Sequence, residues 1–186
     1  MQAPRVVLVS GPSGAGKSTV ARLLAEQSPE ARTVHLHTDD FYAYVRKGVL
    51  APWLPESHGQ NTTVMRALAA SAAAYATGGY EVMVDGVIGP WFFAPWLEAA
   101  KAHHLDLRLV ILLPGEEETV ARAAGRSHTG ALTDANVVRG IWRGFHDVAL
   151  PDGHVLDTSG QRVAETVDLI RHGLTGGRFR LESPAA

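Results

Sequence analysis

Residues 5–19 read RVVLVSGPSGAGKST. An apolar run ends at Ser10, and behind it stand Gly11, four further residues, and Gly16-Lys17-Ser18, the spacing G-x-x-x-x-G-K-[ST]. The glycines let the backbone turn and bring its amide hydrogens close to phosphate oxygens, and a helix opening near Gly16 aims its positive dipole end at them. Lys17 supplies a mobile cation for β- and γ-phosphates, and the Ser18 hydroxyl suits Mg²⁺. Gly11, Ser13, Gly14, Ala15, Gly16, Lys17, Ser18 and Thr19 are therefore the expected nucleotide-binding residues. A glycine-rich turn can serve packing alone, but the full pattern, after a strand and before KSTVARLLAEQ, favours a phosphate site.

Outward from this strand, apolar runs bounded by turn residues recur at 33–37 (TVHLH), 81–85 (EVMVD), 107–113 (LRLVILL) and 153–157 (GHVLD). Val64, Leu68, Ala72 and Tyr75 share one helical face between them, and Val163, Val167, Ile170 and Leu174 share another. Such alternation predicts an α/β fold: a doubly wound parallel sheet in three layers. With 186 residues, 46% of them apolar, the chain can bury one sizeable core, read as a single domain over 1–174 with a loosely ordered tail at 175–186. A formal charge of -2 provides no basic field for nucleic acid or an anionic membrane. No cysteine occurs, no leader-like segment precedes the first strand, and no apolar run reaches membrane-spanning length. The expectation is a cytoplasmic monomer or homodimer whose partner is a small molecule.

Segments 46–60, 86–96 and 126–134 fit the regular scheme badly, and the first two follow or lie near the carboxyl ends of strands, where ligands bind in open parallel sheets. In HLHTDDFY the second strand is expected to end in Asp39 and Asp40, with a short helix after them. Consecutive residues on an extended segment face opposite ways. One carboxylate then serves as general base toward a hydroxyl, and the other caps the helix or meets metal-bound water; alternatively both are caps. Asp85 either holds Mg²⁺ through water or caps the loop before Gly86. Arg122 and Arg126, at i and i+4, are expected on one helix face, one stacking on a nucleotide base and the other reaching the phosphates, unless that face is merely solvated. Arg139 and Arg143 repeat the spacing as weaker candidates. His35 and His37 on the second strand have no zinc-ligand spacing.

On the acceptor side stand Phe41, Tyr42, Tyr44, Trp53, Trp91, Phe92, Phe93 and Trp96, with Arg46, Lys47 and Arg66 as the basic residues and His58, Gln60 and Asn61 as polar ones. Asp39, Phe41, Trp53, His58, Arg66 and Trp91 are the candidate acceptor-binding residues, the aromatics having core packing as their alternative.

With these residues in view, the chain resembles small P-loop kinases of the nucleoside-monophosphate-kinase-like group. TDDFY is similar to the DSFY element of uridine kinases, and the single-domain size with an aspartate after the second strand resembles gluconate kinase, shikimate kinase and chloramphenicol phosphotransferase. The resemblance implies a P-loop NTPase fold with strand order 2-3-1-4-5, ATP with Mg²⁺, and transfer to a small molecule. It makes Asp39 the acceptor-binding aspartate, Arg122 and Arg126 paired arginines of a lid at about 122–134, and VLDTSG at 155–160 the loop near adenine. Metal contacts are expected from Ser18, Asp40 and Asp85. Arginines that grip an anionic acceptor in such relatives are few here, so the acceptor is expected to be weakly charged. The resulting expectation is an ATP-dependent phosphotransferase acting on a hydroxyl; the alternative is a nucleotide-binding regulatory switch.

Overall fold

Every apolar run becomes a strand: β1 (Arg5–Ser10), β2 (Thr33–His37), β3 (Glu81–Asp85), β4 (Asp106–Leu112) and β5 (Val155–Leu156). In the computed structural model, which describes residues 3–126 and 132–182, the strands pair in parallel in the order β2-β3-β1-β4-β5. The helices are α1 (Lys17–Glu26), α2 (Thr38–Ala43), α3 (His58–Thr77), α4 (Phe93–His103), α5 (Glu116–Ala124), α6 (Ala135–His146) and α7 (Val163–Thr175). None of the described helices is long and apolar enough to cross a membrane.

The two-residue period of a strand divides the core into two layers. Val6 and Leu8 of β1 pack with Met65 and Leu68 of α3, Trp96 of α4 and Phe145 of α6. Val7 and Val9 face the other way, toward Val20 and Leu24 of α1 and Val167 and Ile170 of α7. Both parities are buried, so the strand reads as a continuous apolar run and not as an alternating one. Two details of the expected helix stripes shift. On α3 Val64, Leu68 and Ala72 are buried as expected, together with Met65, Ala69, Ala73 and Ala76, but Tyr75 lies 44% exposed; on α7 Val163 is 40% exposed while Val167, Ile170 and Leu174 are buried.

The expected loose tail is not loose as far as Glu182. Strand β5 pairs only with Ile111 and Leu112, which leaves the first half of β4 as an open edge. Residues 179–181 cover it: Leu109 N–H donates to the Phe179 carbonyl at 2.8 Å, Leu181 N–H donates to the Leu107 carbonyl at 3.0 Å, and Arg180 bridges Arg108 antiparallel. The Arg108 guanidinium adds bonds to the carbonyls of Gly177 at 2.7 Å and Arg178 at 2.6 Å. Phe179 and Leu181 are buried in opposite core layers. The last four residues of the expected tail, 183–186, lie outside the described ones.

This packing predicts that Phe179→Ala lowers the unfolding free energy by about 3 kcal/mol, the usual cost of truncating a buried phenylalanine. Urea denaturation measures it, and a loss below about 0.5 kcal/mol, typical of a surface position, would return the tail to the loosely held state.

Candidate functional site

The phosphate loop joins β1 to α1 with positive φ at Gly11, Gly14 and Gly16. At Gly14 a Cβ would collide with the Thr119 carbonyl, so loop and α5 meet backbone to backbone. Lys17 opens α1 and is buried, and its Nζ donates to the Pro12 carbonyl at 2.8 Å. Burial pushes its pKa from the ordinary 10.5 down to about 8; the Asp85 charge opposes that fall and the Arg126 charge adds to it. Arg126 reaches the same loop, donating from Nη1 to Ser13 Oγ at 3.0 Å.

Asp85, the last residue of β3, is fully buried and joins three segments. Ser18 Oγ donates to its Oδ2 at 2.6 Å, His35 Nε2 lies 2.6 Å from Oδ1, and His37 Nδ1 lies 3.0 and 2.9 Å from the two oxygens. Burial alone would raise this carboxyl's pKa. Hydrogen bonds from His35, His37 and Ser18 more than reverse that, and the group stays ionised below the usual carboxylate range. Among the described residues the Asp85 side chain bonds to Ser18, His35 and His37 and not to the loop at Gly86, so the expected loop-capping role finds no contact. His35 and His37 carried no sequence-based role. The available signal was their spacing of two on β2 together with the register that sets His37 beside Asp85. The adjacent Ser18 hydroxyl and Asp85 carboxylate are hard oxygen donors, a set that fits Mg²⁺, which is bound by few protein groups and keeps several waters. Among the described residues no group of three or more His, Asp or Glu side chains stands ready to hold a metal by itself.

The expected placement of Asp39 and Asp40 on opposite faces of a strand end is corrected. Helix α2 starts at Thr38, so both carboxylates occupy its first turn, and its N-cap His37 makes no side-chain capping bond. Two neighbours on a helix are separated by about 100°, not 180°. The chain leaves the strand early because Thr38 Oγ1 donates to the Asp85 carbonyl at 2.5 Å, a contact for which Gly86 leaves room by lacking a Cβ. Asp39 Oδ2 stands 3.3 Å from His37 Nε2. That hydrogen bond draws the Asp39 pKa down, and the bonds to Asp39 first and Asp85 second raise His37 to about 10. Asp40 faces the same cavity as Asp39 but touches neither Ser18 nor Asp85, so no contact supports its expected metal role.

A cavity of about 1050 Å³ brings these groups together with the aromatic segment. Ser13, Lys17, Ser18 and Arg126 line it, as do His37, Asp39, Asp40 and Asp85, and so do Tyr42, Trp53, His58, Trp91 and Phe92. The Trp91 ring leans on Phe145 with centroids 5.4 Å apart, and His58 stacks on Phe92 at 5.7 Å. Two expected members are absent. Phe41 packs against the core, as do Phe93 and Trp96. Arg66 is exposed and off the wall, because the cavity-facing line of α3 is His58, Asn61 and Met65, and the residue after Met65 lies about 100° around the helix. Gln60 clamps the backbone of Leu50 instead, through bonds of 2.8 and 2.9 Å.

A second cavity, about 240 Å³, lies beside the loop between Ala15, Gly16, Thr19, Arg122, Thr158 and Gln161. The two arginines expected on one face therefore separate. Helix α5 stops at Ala124 with Gly125 as its C-cap; Arg122 stays on the helix, paired with Glu118, beside the small cavity, and Arg126 lies past the end in the large one. Of the expected lid at 122–134, residues 127–131 lie outside the described ones. Beyond them, Asp134 caps α6 through the amides of Asn136 and Val137 at 2.9 and 3.1 Å, and Arg139 and Arg143 pair with Glu117 and Glu116 of α5.

Residues 6–149 match a family described as "AAA domain". The chain belongs to this family of P-loop proteins. No curated protein sequence matches it. Among solved structures it is similar to a gluconokinase from Sinorhizobium meliloti, with 20% identity, a TM-score of 0.67, and 95% of this chain and 94% of that chain covered. It is likewise similar to the tunicamycin resistance protein of Deinococcus radiodurans, with 14% identity, a TM-score of 0.68 and coverage of 98% and 100%. The APS kinase of Mycobacterium tuberculosis, solved with AMPPNP and APS, gives 20% identity, a TM-score of 0.68 and coverage of 94% and 99%. At such identity the likeness establishes the fold, including the expected strand order.

The depressed Lys17 pKa yields a stability prediction. Between pH 8 and 10.5 the unfolded chain holds a proton on this amine that the folded one has lost, so the cost of burying the charge is present in full below pH 8 and disappears as pH rises to 10.5. Relative to Lys17→Met, the nucleotide-free wild type should gain up to about 3 kcal/mol between pH 7 and 10.5. Paired denaturant titrations isolate this from His37, whose raised pKa removes stability from both proteins alike as pH rises from 6.5 through about 10. A pH-independent difference would mean that the amine is not desolvated.

Proposed function

We propose that the protein is an ATP-dependent phosphotransferase that moves the γ-phosphate of ATP to a hydroxyl of a small, weakly charged molecule. The observation that carries this reading is that Lys17 and Arg126 share one cavity with Asp39 and a wall of aromatic side chains. A switch that only binds or hydrolyses nucleotide has no use for an acceptor chamber of that size. The names of the similar structures, a gluconokinase and an APS kinase among them, agree with it.

In this reading the base of ATP lies in the smaller cavity, with the Arg122 guanidinium against its face and Thr158 and Gln161 at its edge. The loop amides and Lys17 hold the phosphates. Ser18 and Asp85 would hold Mg²⁺, whose charge offsets that of the phosphate oxygens. Asp39, ionised and oriented by His37, accepts the proton of the acceptor hydroxyl and keeps that oxygen in line with the transferring group. Arg126, one hydrogen bond from the loop, balances charge that develops on the phosphoryl oxygens. The acceptor is weakly charged because the Lys and Arg side chains among the lining residues are Lys17 and Arg126, both turned toward the phosphate loop.

Thermal-shift screening of hydroxylated compounds with a non-hydrolysable ATP analogue, followed by mass spectrometry for a phosphate adduct formed from ATP, tests the reading. ATP hydrolysis that no hydroxyl compound accelerates would overturn it. Once an acceptor is in hand, Lys17→Ala should lower turnover by about 10²–10³-fold with circular dichroism unchanged. Asp39→Asn should lower kcat by about 10²–10⁴-fold and leave ATP affinity within about twofold, since the base acts on the hydroxyl and not on the nucleotide. Wild-type kcat in Asp39→Asn would remove Asp39 from the chemistry.

A further inference from the structure

Glu118 is not among the residues that line the smaller cavity, yet it bonds to two of the segments that form it. One turn ahead of Arg122 on α5, its Oε1 accepts from Arg122 Nη2. The backbone N–H of Gly160 donates to the same carboxylate, at 3.3 Å to Oε1 and 3.2 Å to Oε2. Arg122 lines the cavity from the helix, and Thr158 and Gln161, on either side of the turn at 159–160, line it from the loop after β5. An i, i+4 ion pair between exposed side chains is common on helices and contributes little to stability. The bond to Gly160 is of another kind, since it joins segments 42 residues apart.

The loop is stiff by itself. Asp157 Oδ1 accepts from the Ser159 N–H at 2.9 Å and from Ser159 Oγ at 2.6 Å, and Gln161 Nε2 donates to the Asp157 carbonyl at 3.1 Å. It is tied to the start of α5 by the Gly115 N–H, which donates to Ser159 Oγ at 2.9 Å, and by the Glu118 carboxylate. Helix α5 is in turn set against the phosphate loop, because a Cβ at Gly14 would collide with the Thr119 carbonyl. Loop and helix are thus placed relative to the phosphates, and the long Arg122 side chain is the part whose ordering would cost entropy when a ligand arrives. Glu118 orders it beforehand, and a contact ordered in advance binds more tightly.

We propose that Glu118 is a positioning residue for the nucleotide base, holding the Arg122 guanidinium and the turn at Gly160 in one fixed relation so that the slot they border stands ready for a planar ring; this rests on the placement of the base in the phosphotransfer reading above. Glu118 acts through Arg122 and Gly160 and not by touching the nucleotide.

Two ligands separate the base from the phosphates: AMPPNP, which carries both, and inorganic tripolyphosphate, which has no base. Their affinities for the full chain, each with Mg²⁺, are measured by titration calorimetry for the wild type, Glu118→Ala, Glu118→Gln, Arg122→Ala and the double variant Glu118→Ala with Arg122→Ala. Glu118→Ala, a change at a half-buried position, should bind AMPPNP about fivefold or more weakly and tripolyphosphate within about twofold of the wild type. A general loosening of the fold would weaken both ligands. Glu118→Gln keeps an oxygen in the place of Oε1, which accepts both bonds, and should recover most of the loss. With Arg122→Ala already present, Glu118→Ala should weaken AMPPNP by a smaller factor than it does alone, since the two residues act through one contact. An equal loss of both ligands in Glu118→Ala, a loss of neither, or full additivity with Arg122→Ala overturns the proposal. Wild-type AMPPNP affinity in Arg122→Ala would take the base out of the smaller cavity and overturn the proposal with it. Glu118-dependent binding of AMPPNP by a protein that transfers phosphate from ATP to no hydroxyl compound would instead overturn the phosphotransfer reading and leave the role of Glu118 standing.

Discussion

The buried carboxylate of Asp85 is the contact on which the site is built. A charge taken wholly out of water is tolerated only when its lone pairs are filled, and here they are filled by Ser18 from the phosphate loop and by His35 and His37 from the neighbouring strand. The same residue's carbonyl takes the Thr38 hydroxyl, which turns β2 into α2. One side chain and its own backbone therefore fix the loop, the strand end and the helix that carries Asp39. Removing the His37 imidazolium would leave the buried carboxylate without its counter-charge, a loss of the kind that costs about 3–5 kcal/mol. Loss of structure and loss of chemistry are coupled at this point by construction.

Strand order decides which groups can meet there. With β1 at the centre, the loop after it is flanked by β3 on one side and β4 on the other, so Asp85 reaches Ser18 directly and the helix after β4 supplies Arg122 and Arg126 from the opposite side. β2 lies one strand further out, and its histidines span that gap. His37 is the joint of the arrangement: one ring nitrogen faces Asp85 and the other faces Asp39, so an imidazolium sits between the carboxylate bonded to Ser18 of the phosphate loop and the one on the wall of the large cavity. The two carboxylates can both remain ionised in one cavity because this cation separates them.

What the sequence revealed follows from how local each cause is. The phosphate loop and the five strands depend on neighbours in the chain, and their positions were legible to within a residue or two, apart from the short β5. The start of α2 was misplaced because it depends on a bond between Thr38 and a carbonyl 47 residues away. Nothing in HLHTDDFY announces it. The i, i+4 spacing points to one face for Arg122 and Arg126, but Gly125 ends the helix between them and is itself a stop signal in the sequence. Arg66 and Phe41 lie close in sequence to wall residues, and a rotation of about 100° on each helix is enough to take them off the wall. The tail has only weak periodicity of its own, and residues 179–181 are held by the half of β4 that β5 leaves uncovered.

The acceptor side is held by a different kind of interaction from the phosphate side. Around the loop, rigidity comes from buried charge and from backbone against backbone. Around residues 50–61 it comes from polar side chains that staple an irregular segment to the start of α3: Gln60 to both backbone groups of Leu50, Ser57 to the carbonyls of Pro52 and Leu54 at 2.9 and 2.6 Å, and Asn61 to Pro52. These bonds fix the segment's backbone and leave Trp53 and Leu54 outside any core, at 49% and 37% exposure. Side chains on such a segment can change without disturbing the sheet or the loop, since neither packs on them. Solved structures named as a gluconokinase and a tunicamycin resistance protein share this fold with the chain at 20% and 14% identity. In the phosphotransfer reading proposed above, phosphate handling belongs to the part that must stay fixed, and acceptor choice belongs to the stapled segment, whose side chains can vary.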